Sequence, residues 1–216
     1  MKIIRFLLIS LIFLTSSITA TAQSFVSIST GISTDVNQNR KSFYHIPVSI
    51  QWKPFAESNV PFLLQFDYGI PLTAKDAGDA FTLNPSLPAK VTLTEKIQPY
   101  IFTFSIGFQI HLLTTKKNNS FYLDLFPLGI SNQNFKINYK NYDKENYEVL
   151  NPDLNRNSGG YVMSMAAVYN LHNDLLLMLH LQTPTFTRKD DYPFAFKSIA
   201  PLQLTFGYKF YYKKRK

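Results

Sequence analysis

The chain has 216 residues, a formal net charge of +8 and no cysteine, so neither a disulfide framework nor a thiolate metal site is open to it. Aromatic residues reach 15% while charged residues reach only 17%, below the quarter or so usual in soluble proteins. No segment after the first 22 residues is long and apolar enough for a membrane helix, which leaves an exported chain two main options: a closed membrane barrel, or a soluble β-barrel or sandwich.

Export is read from the N-terminus. Lys2 and Arg5 precede the apolar run Phe6 to Leu14, and a small-residue segment ends in Ala20-Thr21-Ala22. A positive head, an apolar middle and an A-x-A end are the marks of a secretory signal peptide. The run falls short of the ~20 residues a spanning helix needs. Cleavage after Ala22 leaves Gln23 first, and with no cysteine following there is no lipoprotein anchor. The expected organisation is a signal peptide over 1–22, a barrel over 23–212 and a basic tail over 213–216.

Eight strand-like segments follow, each set by alternation of apolar and polar residues. The first, about Ser24 to Thr34, puts Val26, Ile28, Thr30 and Ile32 on one face. The second, Tyr44 to Lys53, sets Tyr44, Ile46, Val48, Ile50 and Trp52 against His45, Pro47, Ser49, Gln51 and Lys53. The third, Phe62 to Leu72, opposes an apolar row to Gln65, Asp67 and Gly69. The fourth, Gln98 to Leu112, carries the longest row: Tyr100, Phe102, Phe104, Ile106, Phe108, Ile110 and Leu112. A membrane strand needs roughly 9–11 residues, and this one has enough. The fifth, Phe121 to Ile130, is interrupted at Pro127, where a bulge would switch faces. The sixth, about Gly160 to Tyr169, the seventh, Leu175 to Phe186, and the eighth, Ser198 to Phe210, alternate cleanly.

Long and short links alternate between these segments, the short ones being the second, fourth and sixth. Outer-membrane barrels have short periplasmic turns and longer external loops, whereas a soluble barrel has no need of the asymmetry. Gly31, Gly69, Gly107 and Gly207 all fall on polar faces, where a narrow interior would be crowded. Tyr44, Trp52, Tyr68, Tyr100, Tyr161, Tyr169, Tyr208 and Phe210 suit girdles at the two interfaces. The expected fold is all-β: an up-and-down antiparallel eight-stranded transmembrane β-barrel. Within its long links, Lys90–Glu95 is expected to extend the fourth strand above the membrane. Phe135–Tyr142 is expected to pair with Asn146–Leu150, giving a projecting sheet whose edge is open to strand addition.

The signal peptide, the eight strands and the final strand LQLTFGYKF resemble the small outer-membrane β-barrels of Gram-negative bacteria, similar to the eight-stranded OmpX/OmpA-type. The aromatic, Lys- and Asn-rich style is similar to such barrels of Bacteroidota. The resemblance implies integral outer-membrane localisation. One departure is that such barrels often end on an aromatic residue, whereas here Tyr211-Tyr212-Lys-Lys-Arg-Lys follows Phe210.

Catalytic patterns are poor: the chain lacks G-x-S-x-G, H-E-x-x-H and a glycine-rich phosphate loop. No catalytic, cofactor-binding or metal-binding residue is assigned, and the four histidines, His45, His111, His172 and His180, are scattered. A structural polar network in the lumen is expected from Asp67, Gln109, His111, Asp124, His180 and Lys209, because buried carboxylates need partners. Lys53, Lys209 or a histidine would serve. Tyr139, Tyr142 and Tyr147 are expected at an external-loop surface. Two positive charges leave with the signal peptide. Lys209, Lys213, Lys214, Arg215 and Lys216 supply five of the rest, which reads as a C-terminal tail.

The resulting expectation is a non-enzymatic outer-membrane barrel, envelope-structural or surface-binding, with outer-membrane lipid around it. Its external loops would meet a protein or polysaccharide partner; nucleic acid is excluded by export, and oligomeric state is not legible. One alternative is a lipid-modifying enzyme, for which Ser42 and His45 lie close in sequence but point to opposite faces. The other is a soluble periplasmic barrel with its aromatic rows turned inward on an apolar ligand.

Overall fold

The computed structural model describes residues 24–36, 43–54, 62–115, 119–149, 155–171, 174–184 and 199–211. The expected signal peptide and tail, and with them Ser42 and His172, lie outside the described residues. Among the described residues ten strands occur in this order: β1 Phe25–Asp35, β2 Tyr44–Lys53, β3 Phe62–Pro71, β4 Ala74–Thr82, β5 Lys90–Thr114, β6 Ser120–Lys140, β7 Tyr147–Glu148, β8 Asn155–Leu171, β9 Leu175–Pro184 and β10 Pro201–Tyr211. Eight of them form an antiparallel ring, β1-β2-β3-β5-β6-β8-β9-β10, closed by β10 pairing back onto β1. All eight sequence segments contribute a strand to this ring; residues 185 and 186 of the seventh and 198 of the eighth lie outside the described residues.

The alternation decides which side of the ring each residue takes. Ser27, Ser29, Ser49, Gln51, Gln65, Asp67, Thr103, Ser105, Gln109 and Gln203 are buried inside. Ile28, Ile50, Phe66, Phe102, Met165, Leu179, Leu204 and Phe206 are exposed outside. The barrel is therefore apolar out and polar in, which contradicts the soluble reading with inward aromatic rows. Tyr44, Trp52, Tyr68, Tyr161, Tyr208 and Phe210 are likewise exposed on the outer surface.

The break at Pro127 is a bulge. Ile106 pairs with Leu128 but Phe108 pairs with Leu125, so two residues of β6, Phe126 and Pro127, oppose Gly107 alone. Before the bulge Asp124 and Phe126 point inward; after it Gly129 and Gln133 do. Gly107 permits this close approach, since a Cβ there would collide with the Leu125 carbonyl oxygen and lie 2.7 Å from the Phe126 ring. Gly31 is similarly held against the Leu204 carbonyl. Gly69 is not, because a Cβ there would meet only side-chain atoms at 3.3 Å or more.

β5 with 25 residues and β6 with 21 outlast the ring. The chain leaves β3, passes Leu72 and Thr73, and continues in the same direction along the upper part of β5 as β4. As expected, Lys90–Glu95 continues β5 upward. The expected partner of Phe135–Tyr142 is corrected, however: only Tyr147 and Glu148 form a strand among the described residues of the return, and they pair with Thr82 and Phe81 of β4. The reason is the turn. Asn141 has a positive φ of 64°, and Asp143 accepts hydrogen bonds from Asn146 Nδ2 and the Glu145 amide at 2.7 and 3.0 Å. These bonds hold the Asp143 carboxyl below its ordinary range, and they steer the chain across to β4.

A charge on the outer face separates the membrane barrel from any soluble one. Phe206→Arg, in the middle of β10, should cost about 2–4 kcal/mol in urea unfolding from lipid vesicles, and Leu112→Arg at the rim at most about 1 kcal/mol. Equal, negligible costs at both positions would mean that the outer face meets water.

Candidate functional site

The lumen is filled in layers. Near the short-turn end, Phe25, Leu63 and Phe126 pack together, and Lys209 Nζ lies 4.4 Å from the Phe25 ring centre and 5.2 Å from that of Tyr122. Such placement lets a cation sit on aromatic faces while its stem stays apolar. Lys53 lies 6.0 Å above the same Phe25 ring. Lys209 is only 2% exposed, so it belongs to the barrel interior and not to the charged tail with which the sequence groups it.

Above this layer, amides solvate two carboxylates. Gln109 and Gln51 donate to Asp124 at 2.8 and 2.7 Å, and Gln51 also reaches Gln65 at 3.3 Å. Gln65 donates to both oxygens of Asp67 at 2.9 and 3.0 Å, Gln182 donates to Asp67 Oδ2 at 2.8 Å, and Ser49 Oγ donates to Oδ1. His180 Nδ1 accepts from Gln65 at 3.2 Å and stands 3.9 Å from Asp67. Thr103 bonds Gln182 and Ser131. Lys209 and Lys53 act on Asp124 through charge. Each carboxylate is thus held by hydrogen bonds from neutral donors, with lysines at longer range for Asp124, which meets the requirement on a buried charge.

The long-loop end is closed by an apolar stopper of Phe43, Ile97, Ile101, Phe135, Ile137 and Ile199. Ile199 is pinned there by Gln133, which donates to its carbonyl and accepts from its amide, both at 2.8 Å. Ala200 N donates to Asp35 at 2.9 Å. His45 is bonded to the Pro99 carbonyl at 3.0 Å, inside the barrel.

Of the residues singled out in the sequence, the structure joins Asp67, Gln109, Asp124 and His180 into one hydrogen-bonded web through Gln51 and Gln65, with Lys209 beside it. His111 is not part of it: the residue sits half-buried at the short-turn rim, bonded to Thr114 at 2.8 Å and tilted against the Tyr122 ring at 5.1 Å. Its alternation parity points inward, but β5 has only three residues left there. The surface assignment of the tyrosines is corrected too. Tyr147 is 7% exposed in a cluster with Ala80 and Leu93, and Tyr139 and Tyr142 pack against that cluster half-buried. The cause is β4, which widens the upper sheet beside β5 and pairs with Tyr147 at its far edge, on the face that Ala80 and Leu93 share. Gln51, Gln65, Gln182, Ser49 and Thr103 were not anticipated as a group, since only cross-strand register brings them together.

No family model and no curated protein matches the chain. Among solved structures, a major outer membrane protein from Thermus thermophilus is similar with a TM-score of 0.51 at 11% identity, covering 88% of this chain and 99% of that one. The fold is that of an outer-membrane β-barrel. The closed ring and the exposed apolar belt make the same assignment on physical grounds, because hydrocarbon tolerates sheet only where it has no open edge. Ail, the attachment invasion locus protein of Yersinia pestis, is similar at 12% identity and a TM-score of 0.46 in its complex with the heparin analogue sucrose octasulfate, over 87% of this chain and 99% of that one. A second Ail structure gives 0.41 at 11% identity, over 88% and 100%.

In this outer-membrane barrel the Asp67 node is open to test. Asp67→Asn sets an amide against amide donors and should cost about 1–3 kcal/mol, and Ser49→Ala about 1 kcal/mol. Because both act on one carboxylate, the double variant should depart from additivity. Strict additivity in urea unfolding of the folded barrel would mean that the web is not shared.

Proposed function

We propose that this outer-membrane barrel is a non-enzymatic component of the envelope: a rigid plugged cylinder that carries a small sheet beyond the outer surface, where a protein or polysaccharide partner is met. The observation that carries this reading is the filled lumen. A polar web sits between two apolar layers, and its carboxylates are taken up by internal hydrogen bonds, so no wide path is left for solute. The lipid-modifying alternative loses its candidate base, since His45 is 2% exposed and bonded to the Pro99 carbonyl.

The outward placement of the long-loop end follows from the pattern of outer-membrane barrels. The support within this chain is the sheet itself: β4, upper β5, upper β6 and β7 share the core of Ala80, Leu93 and Tyr147 and form paired structure, not loose loops.

Two measurements test this. A membrane-impermeant amine reagent on intact cells should label Lys90 at the start of β5 and Lys144 in the turn after β6, both exposed; labelling only after lysis would reverse the orientation. In planar bilayers the purified barrel should give no steady conductance, and regular ohmic steps would overturn the plugged lumen.

A further inference from the structure

The upper sheet carries an arrangement of lysines that its own fold does not account for. Lys75 of β4 and Lys96 of β5 are direct cross-strand partners. Directly opposed residues share a sheet face, and like charges so placed repel. On the other side of β5, Lys96 pairs with Asn138, Thr94 with Lys140 and Gln98 with Lys136. Lys75, Lys96, Lys136 and Lys140 therefore all project from one face. The repulsion is felt: Lys140, and then burial and Lys75, hold the Lys96 amine below the ordinary lysine range.

The carboxylates nearby do not relieve it. Asp76 and Glu95 are paired with each other's positions on the opposite face, and Asp79, on the same face, is bonded to Lys90 at 3.2 Å. Among the described residues none of the four lysines is in an ion pair.

Position decides what could neutralise them. No register shift occurs between Lys96 and Ile106 on the β5–β6 ladder, so alternation carries this face unbroken down to Tyr100, Phe102 and Phe104, the outward apolar row of β5. The lysine face is the upward continuation of the lipid face, not the roof over the lumen. Lys96 stands four residues above Tyr100, about 13 Å along the strand at ~3.3 Å per residue, or roughly 10 Å in height at the tilt of such barrels. That is the level of a lipid headgroup.

We infer that Lys75, Lys96 and Lys140, flanked by Lys136, form a binding site for the phosphate groups of an outer-leaflet lipid whose acyl chains lie along the Tyr100–Phe102–Phe104 stripe. The inference rests on the outward orientation proposed above and gives it a ligand. Juxtamembrane lysines are worth about a factor of five each in retention of anionic lipid. Three together give on the order of a hundredfold.

The experiment uses the full mature chain refolded into neutral phosphatidylcholine vesicles, to which doubly phosphorylated lipid A or its dephosphorylated form is added. Readouts are glycolipid retained on the purified barrel and the temperature at which the unboiled, SDS-resistant band is lost. Wild type should retain the phosphorylated form on the order of a hundredfold better than the Lys75→Gln/Lys96→Gln/Lys140→Gln variant, and only that form should raise its melting temperature. Lys90→Gln, outside the cluster, should behave as wild type. In neutral vesicles alone the triple variant should melt at or above wild type, because the repulsion has gone, which also shows that it folds. Equal retention by wild type and triple variant would overturn the site. Binding of inorganic phosphate or sucrose octasulfate in detergent as tight as that of lipid A would assign the site to a soluble anion and overturn the lipid. Loss of the SDS-resistant band from wild type in neutral vesicles would instead refute the membrane barrel itself.

Discussion

Closure of the backbone ladder is the constraint on which the rest depends. In hydrocarbon an unpaired N–H or C=O group costs several kcal/mol, so β10 must return to β1, and it does so through eleven residue pairs from Phe25–Tyr211 to Asp35–Pro201. Once the ring has only eight strands its interior is barely wide enough for side chains. Two consequences follow inside. Where strands approach too closely for a Cβ, as at Gly31 and Gly107, glycine is required. Where an extra residue must be absorbed, as at Phe126-Pro127, the strand bulges toward a glycine partner, and Pro127, which has no N–H to offer, stands at the point where ladder bonding lapses.

The same closure turns the usual core inside out. Apolar burial between protein and lipid tails contributes little preference for one side chain over another, so uniqueness has to come from the lumen. There, neutral amides do the solvating: Gln51, Gln65, Gln109 and Gln182 surround Asp67 and Asp124. A carboxylate accepting several N–H bonds is satisfied without an adjacent cation, and amides, unlike lysines, carry no charge that must itself be neutralised. Lys53 and Lys209 then rest on Phe25 at one end of the column. Apolar clusters above and below keep the polar web from water on both sides.

The period-two signal made the eight ring strands legible, along with the inward or outward direction of nearly every residue in them, because a closed barrel imposes a face on each position and tolerates few exceptions. The exception at Pro127 was legible as well. Partnerships were not. That Gln65 touches His180, or Gln51 touches Asp124, follows from stagger around the ring, and stagger is a sum over every hairpin, none of which leaves a mark in the sequence. His111 failed for a related reason: parity gives direction but not depth, and it lies at the rim. β4 was missed because Ala74–Thr82, AKDAGDAFT, has almost no strand character of its own. Tyr147 was misplaced with it, since the strand on which the tyrosine lies pairs with the edge of β4 and packs it on Ala80 and Leu93.

β4 shows what a template can do. With alanines, two aspartates and a glycine it would not hold an extended conformation unaided, but upper β5 offers eight consecutive partners from Lys90 to Ile97, and Leu93 supplies the apolar contact for Ala80. A segment held this way is free to choose its outward residues for something other than strand stability. At Lys75 it places a cation directly opposite Lys96, a pairing that weakens the sheet in water. Strand addition by a partner at the edge of β4 would leave that repulsion in place, because backbone pairing brings no negative charge to the face. An anion against the face removes it. The charge on that face and its continuity with the lipid-facing stripe thus favour the membrane's own headgroups over a pairing strand as what answers the lysines, and leave the rest of the sheet to a partner beyond the membrane.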